Sequence, residues 1–431
     1  MKKIFSVIIS TSFLVSVIHA QVSVNTELKT IINQSFSYFP KIKEAENLVD
    51  ISQQKLELSQ VNNPVVDGNL SYNYVLPKIK LPFSINGEVK DIQFYPVHNV
   101  NGNISAGYTL FDFGRLKASL QKSKTDLKYS QDNVEQVKAQ LASQVAGIYY
   151  GIMYLRKAVE IEDSTLAFLE ENKAIAASRF KNGTGLKIDE LALQSQMDAE
   201  LNNKQDLLNN LQKQYNLLAY TANTTSVNSN GFDFSVLMND TSALLSEALS
   251  LNPEIKLAVD KLDQAKADLD ITKHNDKPLV TLGGSAGIKN GYLPDIGEMR
   301  PNLALGASLK IPIYSGGKTK RQIKINESLV KQNDLSIQSL QAQYKKDMQQ
   351  TVNDIQTDIA KINNTASQID NALAQKKLAS TRYLNGVGTQ LEITNAAVAL
   401  QRIQLTKLLY QYQFCLANIE LARLSGYAYW R

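Results

Sequence analysis

Catalysis or metal binding in this chain would have to come from three histidines, one cysteine and a scatter of acids. His98 and His274 share no ligand spacing with each other or with Cys415, so no zinc-type set can be assembled. No phosphate-binding glycine loop or nucleophile motif occurs, and the glycines of residues 279–287 fit a sheet wall better than a nucleotide cradle. No enzyme activity, cofactor or metal is expected. What does recur is a recognition pattern: SRFKNGTGLKIDEL at 178–191 returns as TRYLNGVGTQLEIT at 381–394. Arg179 and Arg382 each offer a planar fork of donors, and Phe180 and Tyr383 each offer an aromatic face. Gly183 and Gly386 can take positive φ, beside Asn182 and Asn385, which tolerate it. A helix C-cap accounts for the glycines and leaves the Arg-aromatic pair unexplained.

The elements that carry this motif form a duplicated chain. Arg382 minus Arg179 is 203, and so is Gly317 minus Gly114, which relates LFDFGRLK at 110–117 to IYSGGKTK at 313–320. Two independent motifs in one register define two repeats. Pro64 to Gly114 takes 50 steps and Pro278 to Gly317 takes 39, so the first repeat holds 11 extra residues, in a segment with Pro77, Pro82 and Pro96. That proline-rich excess is expected in a loop. Residues 21–220 and 243–426 are the two repeats, 221–242 the connector and 427–431 a C-terminal tail.

Within each repeat the pattern changes to period two between the proline and glycine landmarks. Leu70, Tyr72 and Tyr74 alternate with Asn69, Ser71 and Asn73, and Leu303, Leu305, Ala307 and Leu309 alternate with Ala304, Gly306, Ser308 and Lys310. Strands are expected at about 65–76, 98–111, 279–290 and 301–313. A soluble sandwich gives the same alternation. The small hydrogen-bonding residues of the polar set and the length of about ten residues suit membrane strands around a wet lumen. Four strands cannot close a barrel, which takes about eight, and an open edge in lipid leaves backbone groups unsatisfied. A membrane barrel must therefore be shared between copies.

After Gly114, and again after Gly316 and Gly317, 69 steps without proline lead to the next glycine turn, and a helix of that length is roughly 100 Å long. Val134, Val137, Leu141, Val145, Ile148, Ile152, Leu155 and Val159 are spaced as a narrow coiled-coil seam. The basic pair Lys2-Lys3 and the apolar run Ile4 to Ile18 read as a secretory signal, with cleavage after Ala20. The net charge of +5 is interleaved along the chain, which gives no stripe for nucleic acid. One cysteine excludes an internal disulfide.

The duplication, the FDFGR and PIYSGGK strand-to-helix motifs and both tip turns together resemble the TolC-like outer-membrane efflux proteins, or outer-membrane factors, from about Leu28 to Gly426. The resemblance implies a mixed α and transmembrane β fold: a homotrimer with four strands per chain in a twelve-stranded β-barrel, continued by a long α-helical coiled-coil barrel. It implies location in the outer membrane of a Gram-negative bacterium, in contact with outer-membrane lipid and reaching into the periplasm. It further implies a passive exit duct in a tripartite efflux system, with an inner-membrane pump. The tips (Arg179, Phe180, Gly183, Gly185 and Arg382, Tyr383, Gly386, Gly388) would then meet a periplasmic adaptor protein. Glu392 falls where the family has an acidic entrance gate, Asp189 is its mate, and Asn395 stands where a further acid is often found. A type I protein-secretion channel has the same fold, and a coiled-coil surface fibre or adhesin would explain the heptads but not the strands.

Overall fold

The computed structural model describes residues 22–85, 88–236 and 241–431; the leader reading of residues 1–20 lies outside them. The first repeat runs β1 (Val22–Ser23), α1 (Thr26–Tyr38), α2 (Pro40–Gln60), β2 (Val65–Tyr74), β3 (Lys80–Ile85), β4 (Glu88–Gln93), β5 (His98–Phe111), α3 (Arg115–Lys181) and α4 (Lys187–Ala222). The second runs β6 (Ser235–Val236), α5 (Thr241–Leu251), α6 (Pro253–His274), β7 (Leu279–Lys289), β8 (Arg300–Lys310), α7 (Lys318–Leu384) and α8 (Gln390–Ser425). The duplication survives to the residue: α3 and α7 are both 67 residues and α4 and α8 both 36. Their starts differ by 318 minus 115 and 390 minus 187, each 203. Among the described residues no helix is long and apolar enough to cross a membrane.

The chain forms two compact units, each drawing on both repeats. One comprises Glu44–Val134 and Leu257–Gln338. It contains an antiparallel sheet in the order β2-β5-β7-β8, whose centre joins the repeats through β5 and β7. Register keeps each face uniform. Leu70 stands opposite Gly102, Ile104 opposite Ala286 and Ala286 opposite Leu303 on one face; Asn69 opposite Asn103, Ser105 opposite Ser285 and Thr281 opposite Ser308 on the other. Because side chains alternate, a slip of one residue in any pair would mix the faces. The polar face is linked by side-chain hydrogen bonds, Asn69 to Ser105 at 3.0 Å and Thr281 with Ser308 at 2.7 Å. The apolar face is bare: Leu70 is 84% exposed and Leu305 81%.

The proline-rich excess is not simply a loop. Lys80–Ile85 and Glu88–Gln93 pair antiparallel as a separate hairpin, and Phe83 packs on Phe94 with ring centroids 5.5 Å apart. Pro82 is tolerated because this ribbon has two strands only, and a missing amide on an edge breaks no ladder. The sequence Asn86-Gly87 between the strands was the available hairpin signal.

The other unit comprises the described residues up to Lys43, Glu135–Lys256 and Ser339–Arg431. Its main core corrects the narrow-seam expectation. Leu141, Val145, Ile148 and Ile152 are buried as expected, but so are Ala142, Ala146, Tyr149, Tyr150 and Met153 on the remaining faces of α3. The reason is a covering layer: Leu28 and Ile32 of α1, the segment after α4 and the chain end share the same cluster. Glu27 accepts the backbone N–H groups of Asn228 (2.8 Å) and Ser229 (3.0 Å) and the Tyr149 hydroxyl (2.9 Å), which ties the connector down. The tail is likewise core, with Trp430 edge-on to Phe36 at 5.8 Å and Tyr429 edge-on to Phe234 at 5.1 Å.

Candidate functional site

The two repeated turns lie together at the ends of the α3–α4 and α7–α8 hairpins. Each follows the same construction. Gly183 (φ 74°) and Gly386 (φ 77°) occupy the left-handed region, and the amides of Thr184 and Val387 return to the carbonyls of Arg179 (2.9 Å) and Arg382 (3.0 Å). The second glycine is required for a different reason. A Cβ on Gly185 would lie 2.8 Å from Cβ of Arg179, and one on Gly388 would lie 2.8 Å from the Tyr383 nitrogen. The first glycine thus supplies a conformation and the second a close approach.

Despite the shared backbone, the Arg-aromatic pairs do different things. The Arg179 guanidinium leaves its own hairpin and donates to the carbonyl oxygens of Tyr383 and, at 3.2 Å, Leu384. It lies 4.2 Å from the Tyr383 ring centroid, so one side chain binds the exposed carbonyl end of α7 and caps its aromatic. Tyr383 is buried among Ala379, Ile393, Phe168 and Ile175; burial pushes its phenol up, Arg179 opposing and Asp189 adding. Arg382, by contrast, turns back on its own hairpin, to Glu392 (Nε to Oε2, 3.3 Å) and the Val387 carbonyl (3.3 Å). Phe180 is 47% exposed with the Lys187 ammonium 5.7 Å from its ring.

Asp189 and Glu392 both sit in the first turn of their helices, where the macrodipole favours them. Thr389 caps α8 by accepting the Glu392 amide at 3.2 Å, whereas Leu186 offers no side-chain cap to α4. Glu392 is thereby engaged by a cap and a cation, while Asp189 lines the cleft between the turns with Thr184, Tyr383 and Asn385. Asn395 is exposed one turn further along α8. Sequence reasoning missed a set of bare apolar side chains here: Leu186, Ile188 and Leu191 on one hairpin, Leu384, Val387 and Leu391 on the other. Their signal was the placement of apolar residues directly around a glycine turn, where solvated residues are the norm.

The strand-to-helix motif has its own geometry. Gly114 (φ 97°) turns the chain from β5 into α3. Asp112 accepts the amides of Gly114 (3.0 Å) and Leu116 (2.5 Å), satisfying orphan donors at the start of α3. Arg115 then grips the end of α6 through the carbonyls of His274 (3.0 Å), Asn275 (2.6 Å) and Lys277 (2.6 Å). In the second repeat Gly316 and Gly317 also take positive φ, and Asp276 accepts the hydroxyls of Ser315 (3.3 Å) and Thr319 (2.9 Å). No group of three or more potential metal ligands exists among the described residues.

The sequence profile described as outer membrane efflux protein matches residues 76–223 and 244–427, which take in both tips, most of the sheet and all four long helices. The chain belongs to the outer membrane efflux protein family. Its relatives within that family are distant. The pyoverdine export outer membrane protein OpmQ of Pseudomonas aeruginosa is 25% identical over 77% of this chain and 68% of its own length. Outer membrane protein TolC of Escherichia coli is 22% identical over 92% and 85%. The outer-membrane channel OprN has the same fold with a TM-score of 0.79 at 15% identity, covering 94% of this chain and 91% of OprN. The outer membrane protein VceC of Vibrio cholerae gives 0.74 at 17% identity, covering 93% and 96%.

Proposed function

We propose that this outer membrane efflux protein is a passive exit duct: a homotrimer whose twelve-stranded barrel lies in the outer membrane, taking small molecules from an inner-membrane pump through a periplasmic adaptor. The observation that carries the reading is the four-stranded sheet. Among the described residues strands β2 and β8 each lack a partner on one side, and one face is apolar, with Leu70, Ile104, Leu303 and Leu305 exposed. A sheet in that state needs both lipid and further strands, and copies of the same chain supply them most simply, by a closed symmetric ring. The helical hairpins supply no energy-coupling chemistry, so transport would be driven by the partner pump.

The tips are proposed as the adaptor-docking surface. Tightly turned backbone at Gly183 and Gly386 permits close approach, and bare Leu186, Ile188, Val387 and Leu391 offer desolvation energy to a partner. Asp189 and Glu392 are proposed at the entrance. The test is assembly and place: the chain expressed in a Gram-negative host should fractionate with outer membranes and migrate in mild detergent as a trimer that heating dissociates. A soluble periplasmic monomer would end the reading.

A further inference from the structure

Between the core and the tips, α3, α4 and α8 enclose two carboxylates that form no ion pair among the described residues. Glu162 of α3 is 2% exposed and Glu200 of α4 is 4% exposed. Both accept from a single donor, the Gln401 side-chain amide of α8, at 2.8 Å each. Glu200 also accepts from Gln196 (2.6 Å) and Asn203 (3.0 Å) on its own helix. Asp163 of α3 is the next acid, and Lys204 of α4 is spent on it at 2.5 Å. Gln401 contributes an uncharged amide from α8. Two buried carboxylates without a neutralising partner cannot both ionise cheaply.

The duplication gives a second view of the same place. The positions 203 residues on from Glu162 and Glu200 are Thr365 and Ile403, so the second repeat keeps the helices without the acids. The pair is an addition to this architecture rather than a demand of it.

We propose that Glu162, Glu200 and Gln401 form a proton-held latch that ties α8 to the α3–α4 hairpin and loosens when the proton on Glu162 leaves. The better-solvated partner by hydrogen bonding, Glu200, keeps its charge, three donors holding it ionised against burial; burial pushes the Glu162 carboxyl up to about 7. A carboxyl held above its unfolded value stabilises the closed arrangement fully at low pH, and that contribution is lost as pH rises through about 7. Between the ordinary carboxylate range and that point each pH unit weakens the closed state roughly tenfold relative to an opened state in which Glu162 is solvated, and above it the loss levels off because Glu162 is ionised in both. The region that loosens would be the three-helix contact around the pair.

Hydrogen exchange of the full chain in detergent, corrected for intrinsic chemistry, reads this directly at about pH 6 and about pH 8. Peptides spanning Glu162 and Gln401 should exchange on the order of tenfold faster at the higher pH, while peptides from the α1–α3 core stay unchanged. Glu162→Gln keeps the geometry, cannot ionise, and should abolish the difference. Equal pH dependence in wild type and Glu162→Gln would overturn the latch. Should the variant not fold, the wild type decides alone: an infrared band of protonated carboxyl that vanishes in step with the rise in exchange supports the proposal, and exchange that stays flat over the interval overturns it.

Discussion

Removing the Arg179 side chain should uncouple the two tips, and removing Arg382 should not. In the first case the α7 end loses a charged donor on two carbonyls and a cation on the Tyr383 ring. Hydrogen bonds from a charged group are worth about 1.5–3 kcal/mol when buried, and a cation over a ring about 0.5–1 at exposed sites. Arg179 is partly exposed, so screening takes the sum down to roughly 1.5–2 kcal/mol, or about 10- to 30-fold in a local opening equilibrium. In the second case the loss is an ion pair at 3.3 Å whose partners are 49% and 44% exposed and an exposed bond to the Val387 carbonyl at 3.3 Å, together worth about 1 kcal/mol or less. Hydrogen exchange over residues 176–190 and 380–394 measures both. Arg179→Ala should accelerate exchange on both hairpins by the stated factor, Arg179→Lys should fall between because an ammonium cannot fork, and Arg382→Ala should act a few-fold at most and only on its own hairpin. Equal effects of the two alanine variants would refute the asymmetry, and with it the idea that identical motifs were put to different uses.

At the second glycine of each turn, Gly388→Ala should cost more than Gly386→Ala, since its Cβ meets backbone at 2.8 Å, whereas Gly386 faces open space and loses only about 1–2 kcal/mol of left-handed conformation; thermal melting and tip exchange give the order. Arg115→Lys should keep the charge yet lose most of the three-carbonyl grip on the α6 end, weakening that joint by on the order of 2 kcal/mol, seen as faster exchange at residues 270–278 with the sheet unchanged. At the proposed entrance, Asp189→Asn should lower cation selectivity in a planar bilayer more than Glu392→Gln does, because Arg382 already offsets Glu392; added salt should shrink the difference, and a larger effect of the Glu392 variant would exclude Asp189 as the main charge.

What the sequence determined by itself was everything local or periodic. Alternation placed the strands, because side-chain direction in a strand is set by position alone. The common offset of 203 fixed the lengths of α3 and α7, because a duplicated helix keeps its count between two glycine turns. Glycine spacing located the tips, since positive φ has few other hosts. The covering layer over α3 was not legible, because Leu28, Phe234 and Trp430 come from three distant stretches and meet only in the folded core. Nor was the division of labour between Arg179 and Arg382. The two occupy the same place in the same motif, and only the packing of Tyr383 beneath α3 gives Arg179 a ring and two carbonyls to bind. The Glu162–Glu200 pair shows the limit most plainly: two glutamates 38 residues apart read as solvated helix surface, and it took the closing of three helices around one glutamine to make them a buried pair. Local conformation follows from each residue's own torsional preferences, whereas charge state and partnership follow from which distant groups exclude water around it.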